Sequence, residues 1–301
     1  MEQIAFVFSG QGAQYPGMGK ELYEASPAAR EIFDRADAIR PGTSAQCFSG
    51  TPEELSQTIN TQPCVYCVDL AAAESLRHAG VQPAAVAGFS LGEVAALTFA
   101  GAFDHDTGFR LVCKRAAYMQ QAAEKQESAM VAVLKLKSDA VRELCLKYEN
   151  TYPVNYNCSG QTVVALAKNR QEEFCKAVQS LDGRAVPLAV NGGFHSPFMD
   201  EASQRLLEEL ETIEMKNPTL RVYANSSALP YGDKIKETLA GQVNSPVYWQ
   251  KTVENMISDG IKTFIEVGAG RTLCGLIKKI SSDVRVLNVE DRAGLEAALK
   301  I

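Results

Sequence analysis

The chain opens on a short apolar run, IAFVF (residues 4–8), that stops at the glycine-rich turn SGQGAQYPGMG. A strand-length apolar run closed by glycine predicts a buried β-strand. Helical spacing follows from Lys20 to Ala38, EELSQTI reads as another helix, and residues 63–79 form a longer one that ends at Gly80. Then come AAVAGF, a turn at Ser90, a helix from about Leu91 to Phe99, and a long helix over roughly Asp106 to Lys125.

In the middle the pattern changes. MVAVLKL reads as a strand, SDAVRELCLKY as a helix capped by Ser138, and PVNYN and QTVVAL as a hairpin around CSGQ. A second helix, RQEEFCKAVQSL, and a strand, RAVPLAV, complete the order β-α-β-β-α-β, which is ferredoxin-like. Residues 127–190 are therefore expected to form a small insert in a larger unit made of 1–126 and 191–301. That unit continues with a helix from Pro197 to about Glu214, a short strand near RVYAN, two helices, the strand KTFIEVG, and a last strand and helix. Strands alternating with helices predict an α/β fold, with a mostly parallel sheet covered on both faces.

Composition narrows the function classes. Hydrophobic residues are 46 % and charged ones 22 % of 301 residues, ordinary for a globular protein. No apolar stretch reaches the length of a membrane span and no basic leader opens the chain, so the expectation is a cytoplasmic protein without a membrane partner. A net charge of −6 argues against nucleic acid as a partner. The eight cysteines are irregularly spaced. Cys64 and Cys67 have C-x-x-C spacing, but no second Cys/His pair answers them, so no metal is expected. With Pro63 read as the first residue of a helix, the two thiols share one buried face.

The stretch AAVAGFSLGEVAAL holds Gly-x-Ser-x-Gly between a predicted strand and a predicted helix, the layout of a nucleophile elbow at Ser90. A serine hydroxyl needs a neighbouring base. The chain has three histidines. His78 falls at a helix end, and His105, between two aspartates at a helix start, reads as a solvated turn residue. His195, in GGFHSP, follows two glycines and precedes a helix start, on the loop that returns from the insert. It is the best base of the three, with a structural core histidine as the alternative. No Asp or Glu stands out as a third member. Leu111, Arg115, Met119 and Ala122 share one helical face. An arginine in an apolar stripe must snorkel, find an internal carboxylate or face an anionic ligand, and these remain open. GQGAQYPG lacks the third glycine of a dinucleotide loop, which speaks against a nicotinamide cofactor. Its bared N–H groups suit an oxyanion instead.

Taken in order, FVFSGQGAQYPGMG, TQP, GFSLGEVAAL, KRAAYMQ, VNYNCSGQTVVA, FHSPFM, SPVYWQKTV and FIEVGAG resemble the malonyl-CoA:acyl carrier protein transacylases of fatty-acid synthesis and the related acyltransferase domains of polyketide synthases. The resemblance runs nearly end to end. It implies an α/β-hydrolase-like core with a ferredoxin-like insert, and ping-pong transfer from malonyl-CoA to acyl carrier protein without a cofactor. By position, it implies Ser90 as nucleophile, His195 as base, Arg115 as the malonate-binding residue, and the backbone N–H groups of Gln11 and Leu91 as the oxyanion hole. The histidine would be oriented by the main-chain carbonyl of Gln242, and a monomer is the family default. Phe89 departs from the pattern, because relatives usually have histidine there. The alternatives are a serine-dependent hydrolase, an acyltransferase of a polyketide pathway and an inactive scaffold. Arg271, Lys278 and Lys279 are candidates for carrier docking, against a plain solvated face.

Overall fold

The computed structural model of the chain describes residues 3–190 and 192–300. The strands are, in chain order, β1 (Gln3–Phe8), β2 (Ala85–Gly88), β3 (Ser128–Leu134), β4 (Thr151–Cys158), β5 (Gln161–Ala167), β6 (Arg184–Pro187), β7 (Arg221–Tyr223), β8 (Ile261–Val267) and β9 (Arg285–Val289). Five form one parallel sheet in the order β7-β2-β1-β8-β9. Because side chains alternate along a strand, β1 serves both faces. Phe6 and Phe8 point to one, with rings 5.7 and 5.8 Å from that of Phe99 on the helix Leu91–Phe99. Ala5 and Val7 point to the other, against Trp249, Val253 and Leu276 of the helices Trp249–Ser258 and Thr272–Ile280. Burial on both faces explains why β1 and β2 read as unbroken apolar runs.

The second sheet is antiparallel, in the order β4-β5-β3-β6. Its strands and the helices Ser138–Cys145 and Gln171–Ser180 follow the expected β-α-β-β-α-β order. Val131, Val133, Phe174 and Val178 pack the helix-covered face, while Met130, Ala132 and Val163 on the other face wall a cleft against the parallel sheet. Val247 ties the two sheets: its N–H donates to Val154 O (2.8 Å) and its carbonyl accepts from Tyr156 N–H (2.9 Å).

Two helix boundaries differ from expectation. The predicted helix from Lys20 to Ala38 is two, Lys20–Ala25 and Pro27–Ile39, because Ser26 is extended and its Oγ caps the second by accepting from Ala29 N–H at 3.3 Å. The long helix starts at Thr58, not Pro63. A capping box at Thr51 and Glu54 opens the short helix Pro52–Ser56, which ends at the extended Gln57 before the chain re-enters helix. Pro63 lies inside this helix, where its missing N–H leaves one gap in the ladder. All eight cysteines are free, and Cys64 and Cys67 are fully buried on this helix. Among the described residues there is no metal-binding cluster, and no helix is long and apolar enough to cross a membrane.

The parallel strands deliver the glycine turn and the Ser90 turn at their C-terminal ends, where α/β sheets place ligands. Two glycines make this possible. A Cβ on Gly88 would lie 1.9 Å from the Gly92 carbonyl carbon, and one on Gly92 would lie 2.3 Å from Phe8 O. The elbow helix thus rests directly on strand backbone. Gly92→Ala is expected to cost about 3 kcal/mol or more in urea denaturation, since the clash is with main chain. A loss below about 0.5 kcal/mol, the range of neutral surface changes, would contradict this packing.

Candidate active site

Ser90 stands at the tip of the turn with φ 53° and ψ −104°, a conformation that L residues rarely hold without support. Asn225 supplies it. Its Oδ1 accepts from Ser90 N–H at 2.7 Å, and its Nδ2 donates to Gly88 O at 2.6 Å, so one amide pins both arms of the elbow. Ser90 opens onto the cleft between the two sheets, whose walls include Gln11, Asn157, Val163, Phe194 and Leu276.

His195 enters from the loop after β6, also at positive φ (61°), with its N–H donating to Val243 O at 2.9 Å. Its Nδ1 lies 2.9 Å from the main-chain carbonyl of Gln242, and its Nε2 lies 2.7 Å from Ser90 Oγ. A carbonyl can only accept, so Nδ1 carries the proton and the Nε2 lone pair faces the serine hydroxyl. Burial, reinforced by the Arg115 charge, lowers the His195 pKa to about 4. The imidazole is therefore neutral at neutral pH.

Arg115 lies behind Ser90 and is 1 % exposed. One terminal nitrogen donates to Gln62 Oε1 (2.8 Å), the other to Gln242 Oε1 (2.8 Å) and Ser90 Oγ (3.2 Å). Its Nε has no partner among the described residues. Burial lowers its pKa to about 10, which still leaves it charged at neutral pH. No ion pair among the described residues includes it. Of the three outlets open to an arginine in an apolar stripe, snorkelling and an internal carboxylate contact are thus closed. Neutral amide oxygens of Gln62 and Gln242 hold its terminal nitrogens instead.

The backbone N–H groups of Gln11 and Leu91 have no acceptor among the described residues. Gln11 lines the cleft, and its side chain turns away to donate to Thr58 Oγ1 at 3.1 Å. Phe89 lines the cleft as well, and its ring meets Trp249 edge-on at 5.6 Å. His78 ends the helix Thr58–His78, exposed, as its position suggests. His105 begins the helix His105–Lys125, at the helix start its position suggests, but it is no solvated residue: its Nε2 lies 3.0 Å from Oε1 of the buried Glu74. Burial of that carboxylate draws the ring inward. Arg271 pairs with Glu290 at 2.9 Å, which leaves Lys278 and Lys279 exposed on the last turn of their helix.

Four residues escaped the sequence reading: Gln62, Glu93, Asn225 and Tyr231. Glu93 looks like an ordinary acid in the first turn of a helix, yet it is fully buried. Asn225 and Tyr231 come from distant segments that only the fold brings to the elbow.

The acyl transferase domain model matches residues 5–293. The chain is 37 % identical over 308 aligned positions to the malonyl CoA-acyl carrier protein transacylase of Bacillus subtilis strain 168, covering 100 % of this chain and 97 % of that protein. A second relative, from Haemophilus influenzae, is 36 % identical and covers 99 % and 98 %. The crystal structure of the malonyl CoA-acyl carrier protein transacylase from Clostridium perfringens superposes with a TM-score of 0.95 at 36 % identity, covering 99 % and 96 % of the two chains. A malonyl-transacylase solved in complex with its type II polyketide-synthase acyl-carrier protein gives 0.96 at 33 % identity, covering 99 % of each chain. This chain belongs to the acyl transferase domain family.

Proposed function

We propose that this protein moves malonyl groups from malonyl-CoA to the phosphopantetheine thiol of acyl carrier protein, through an ester on Ser90, and so supplies fatty-acid synthesis. The carrying observation is the buried Arg115 guanidinium, charged, without an ion pair and 3.2 Å from Ser90 Oγ. A carboxylate at the far end of an acyl group on Ser90 satisfies it; an acetyl group does not. Full-length likeness to named transacylases supports the same reading.

The steps follow from the geometry. Ser90 Oγ attacks the thioester carbon while its proton passes to His195 Nε2. The carbonyl oxygen becomes an oxyanion, held by the Gln11 and Leu91 N–H groups. The C–S bond breaks, the imidazolium returns the proton to sulfur, and CoA leaves as its thiol. The pantetheine thiol then attacks the malonyl ester, giving its proton to His195, which returns it to Ser90 Oγ. The Gln242 carbonyl keeps the ring aligned throughout. An imidazolium carries extra charge, and a main-chain carbonyl compensates it less than a carboxylate; burial, with the neighbouring Arg115 charge second, keeps the resting ring neutral.

Asn155, Asn157 and Gln161 line the cleft wall contributed by the antiparallel sheet. Asn157 Oδ1 has no partner among the described residues, which suits an amide N–H of the pantetheine arm common to both substrates. In this reading residues 127–190 are the insert that closes the cleft, and Lys278 and Lys279 offer the acidic carrier a local positive edge.

Arg115→Ala should lower kcat/KM for malonyl-CoA by roughly a hundredfold, about 3 kcal/mol, while acetyl transfer rises relative to it. Competition between the two thioesters reads this directly, and an unchanged ratio would remove Arg115 from the role. The His195 assignment has a separate check. A pKa lowered to about 4 means that the base form is lost only as pH falls through that value. Labelling of Ser90 by a neutral sulfonyl fluoride should stay level from pH 8 to about 5; a midpoint near the ordinary histidine value of about 6.5 would contradict the burial argument.

A further inference from the structure

The proposed mechanism gives no task to the buried carboxylate that lies against the Gln242 side chain. Glu93, in the first turn of the elbow helix, is 0 % exposed, and every contact it makes is with a donor. Its Oε1 accepts from the Tyr231 hydroxyl, and its Oε2 accepts from Asn225 N–H and Gln242 Nε2, each at 3.0 Å. The Gln242 amide nitrogen also donates to Ser90 O at 2.6 Å and approaches Asn225 Oδ1 at 3.2 Å. Three oxygens on one side and the Arg115 guanidinium on the other allow the Gln242 amide a single orientation. Turned over, its oxygen would face a carboxylate and its NH2 would face a cation.

Gln242 therefore works at both ends. Its main-chain carbonyl holds His195, and its side-chain oxygen holds the Arg115 nitrogen that also reaches Ser90 Oγ. We infer that Glu93 is a positioning residue for malonyl selection: its carboxylate fixes the Gln242 amide so that Oε1 presents Arg115 to the acyl carboxylate. The inference rests on the malonyl-transfer reading and names a residue that acts through Gln242 without touching substrate. The charged form holds most strongly, because an ionised Oε2 accepts from Gln242 Nε2 and Asn225 N–H more strongly than a neutral carbonyl does. Burial raises the Glu93 pKa to about 7, against the stabilising donors Tyr231, Gln242 and Asn225 and the Arg115 charge. The negative charge is therefore lost as pH falls through about 7. Arg115 and Tyr231 are the ionisable groups that face it, with His195 across Gln242.

Charge alone predicts the opposite of positioning. Removing a buried anion near Arg115 would strengthen its attraction for malonate, whereas releasing the Gln242 amide would misplace the guanidinium. Glu93→Gln decides between them, since it removes the charge and keeps the shape. The malonyl-to-acetyl ratio of kcat/KM should fall at least about tenfold, through malonyl KM more than through kcat, and lose its dependence on pH near 7. Tyr231→Phe removes one donor to the carboxylate and leaves Gln242 untouched. It should move the pH at which the ratio falls upward by about one unit, and it decides the matter if Glu93→Gln does not fold. A ratio that is unchanged or raised in Glu93→Gln, or an unmoved pH dependence in Tyr231→Phe, overturns the inference while wild-type malonyl transfer stands. A wild-type protein that takes no malonyl group would overturn the transfer reading and this inference with it.

Discussion

A buried guanidinium that forms no ion pair among the described residues organises the candidate active site. Arg115 costs free energy to bury, and the fold offsets that cost with amide oxygens from Gln62 and Gln242. Glu93, the nearest countercharge, is held one amide away. A direct Glu93–Arg115 pair would fill the donor fork that a malonate carboxylate needs. With Gln242 between them, the arginine stays charged and aligned, and it keeps unmet hydrogen-bonding capacity at Nε. The same residue supplies the carbonyl that holds His195, so in the proposed mechanism base alignment and acyl recognition share one anchor.

The scaffold around that anchor is built from main-chain contacts. Gly88 and Gly92 let helix and strands meet without side chains between them, and Asn225 closes the elbow from the sheet edge after β7. Positive φ at both Ser90 and His195 shows where the backbone is bent to bring the two side chains within 2.7 Å. Both bends are braced by hydrogen bonds from separate segments. The site is therefore braced where the proposed proton transfer would occur and open toward the cleft where a long pantetheine arm would lie.

Much of this was legible in the residues. The Gly-x-Ser-x-Gly turn sits between a strand and a helix as the apolar pattern requires, and β-α-β-β-α-β order identified the second sheet. Arg115 betrayed itself as a charge within an apolar stripe. What the pattern could not resolve was which of three outlets it uses, since that depends on residues 53 and 127 positions away in sequence. Glu93 was invisible for the reverse reason: an acid in the first turn of a helix has an adequate local explanation. The helix start after Ser26 was obscured because capping by its side chain outweighs the continuity of apolar spacing, and the start at Thr58 because a proline five residues later mimics a first helical position. Phe89 now has a packing partner in Trp249, and nothing in the structure explains why this chain has phenylalanine there.

The central claim is that Ser90 carries an acidic acyl group and surrenders it to a thiol. Intact-protein mass spectrometry tests it most directly, with the protein first mixed with equal malonyl-CoA and acetyl-CoA and then chased with phosphopantetheinylated acyl carrier protein. The account predicts a malonyl ester on Ser90 in large excess over acetyl, stable until the carrier arrives and then transferred to its thiol. Equal acylation by the two thioesters, or release of free malonate without the carrier, would contradict it.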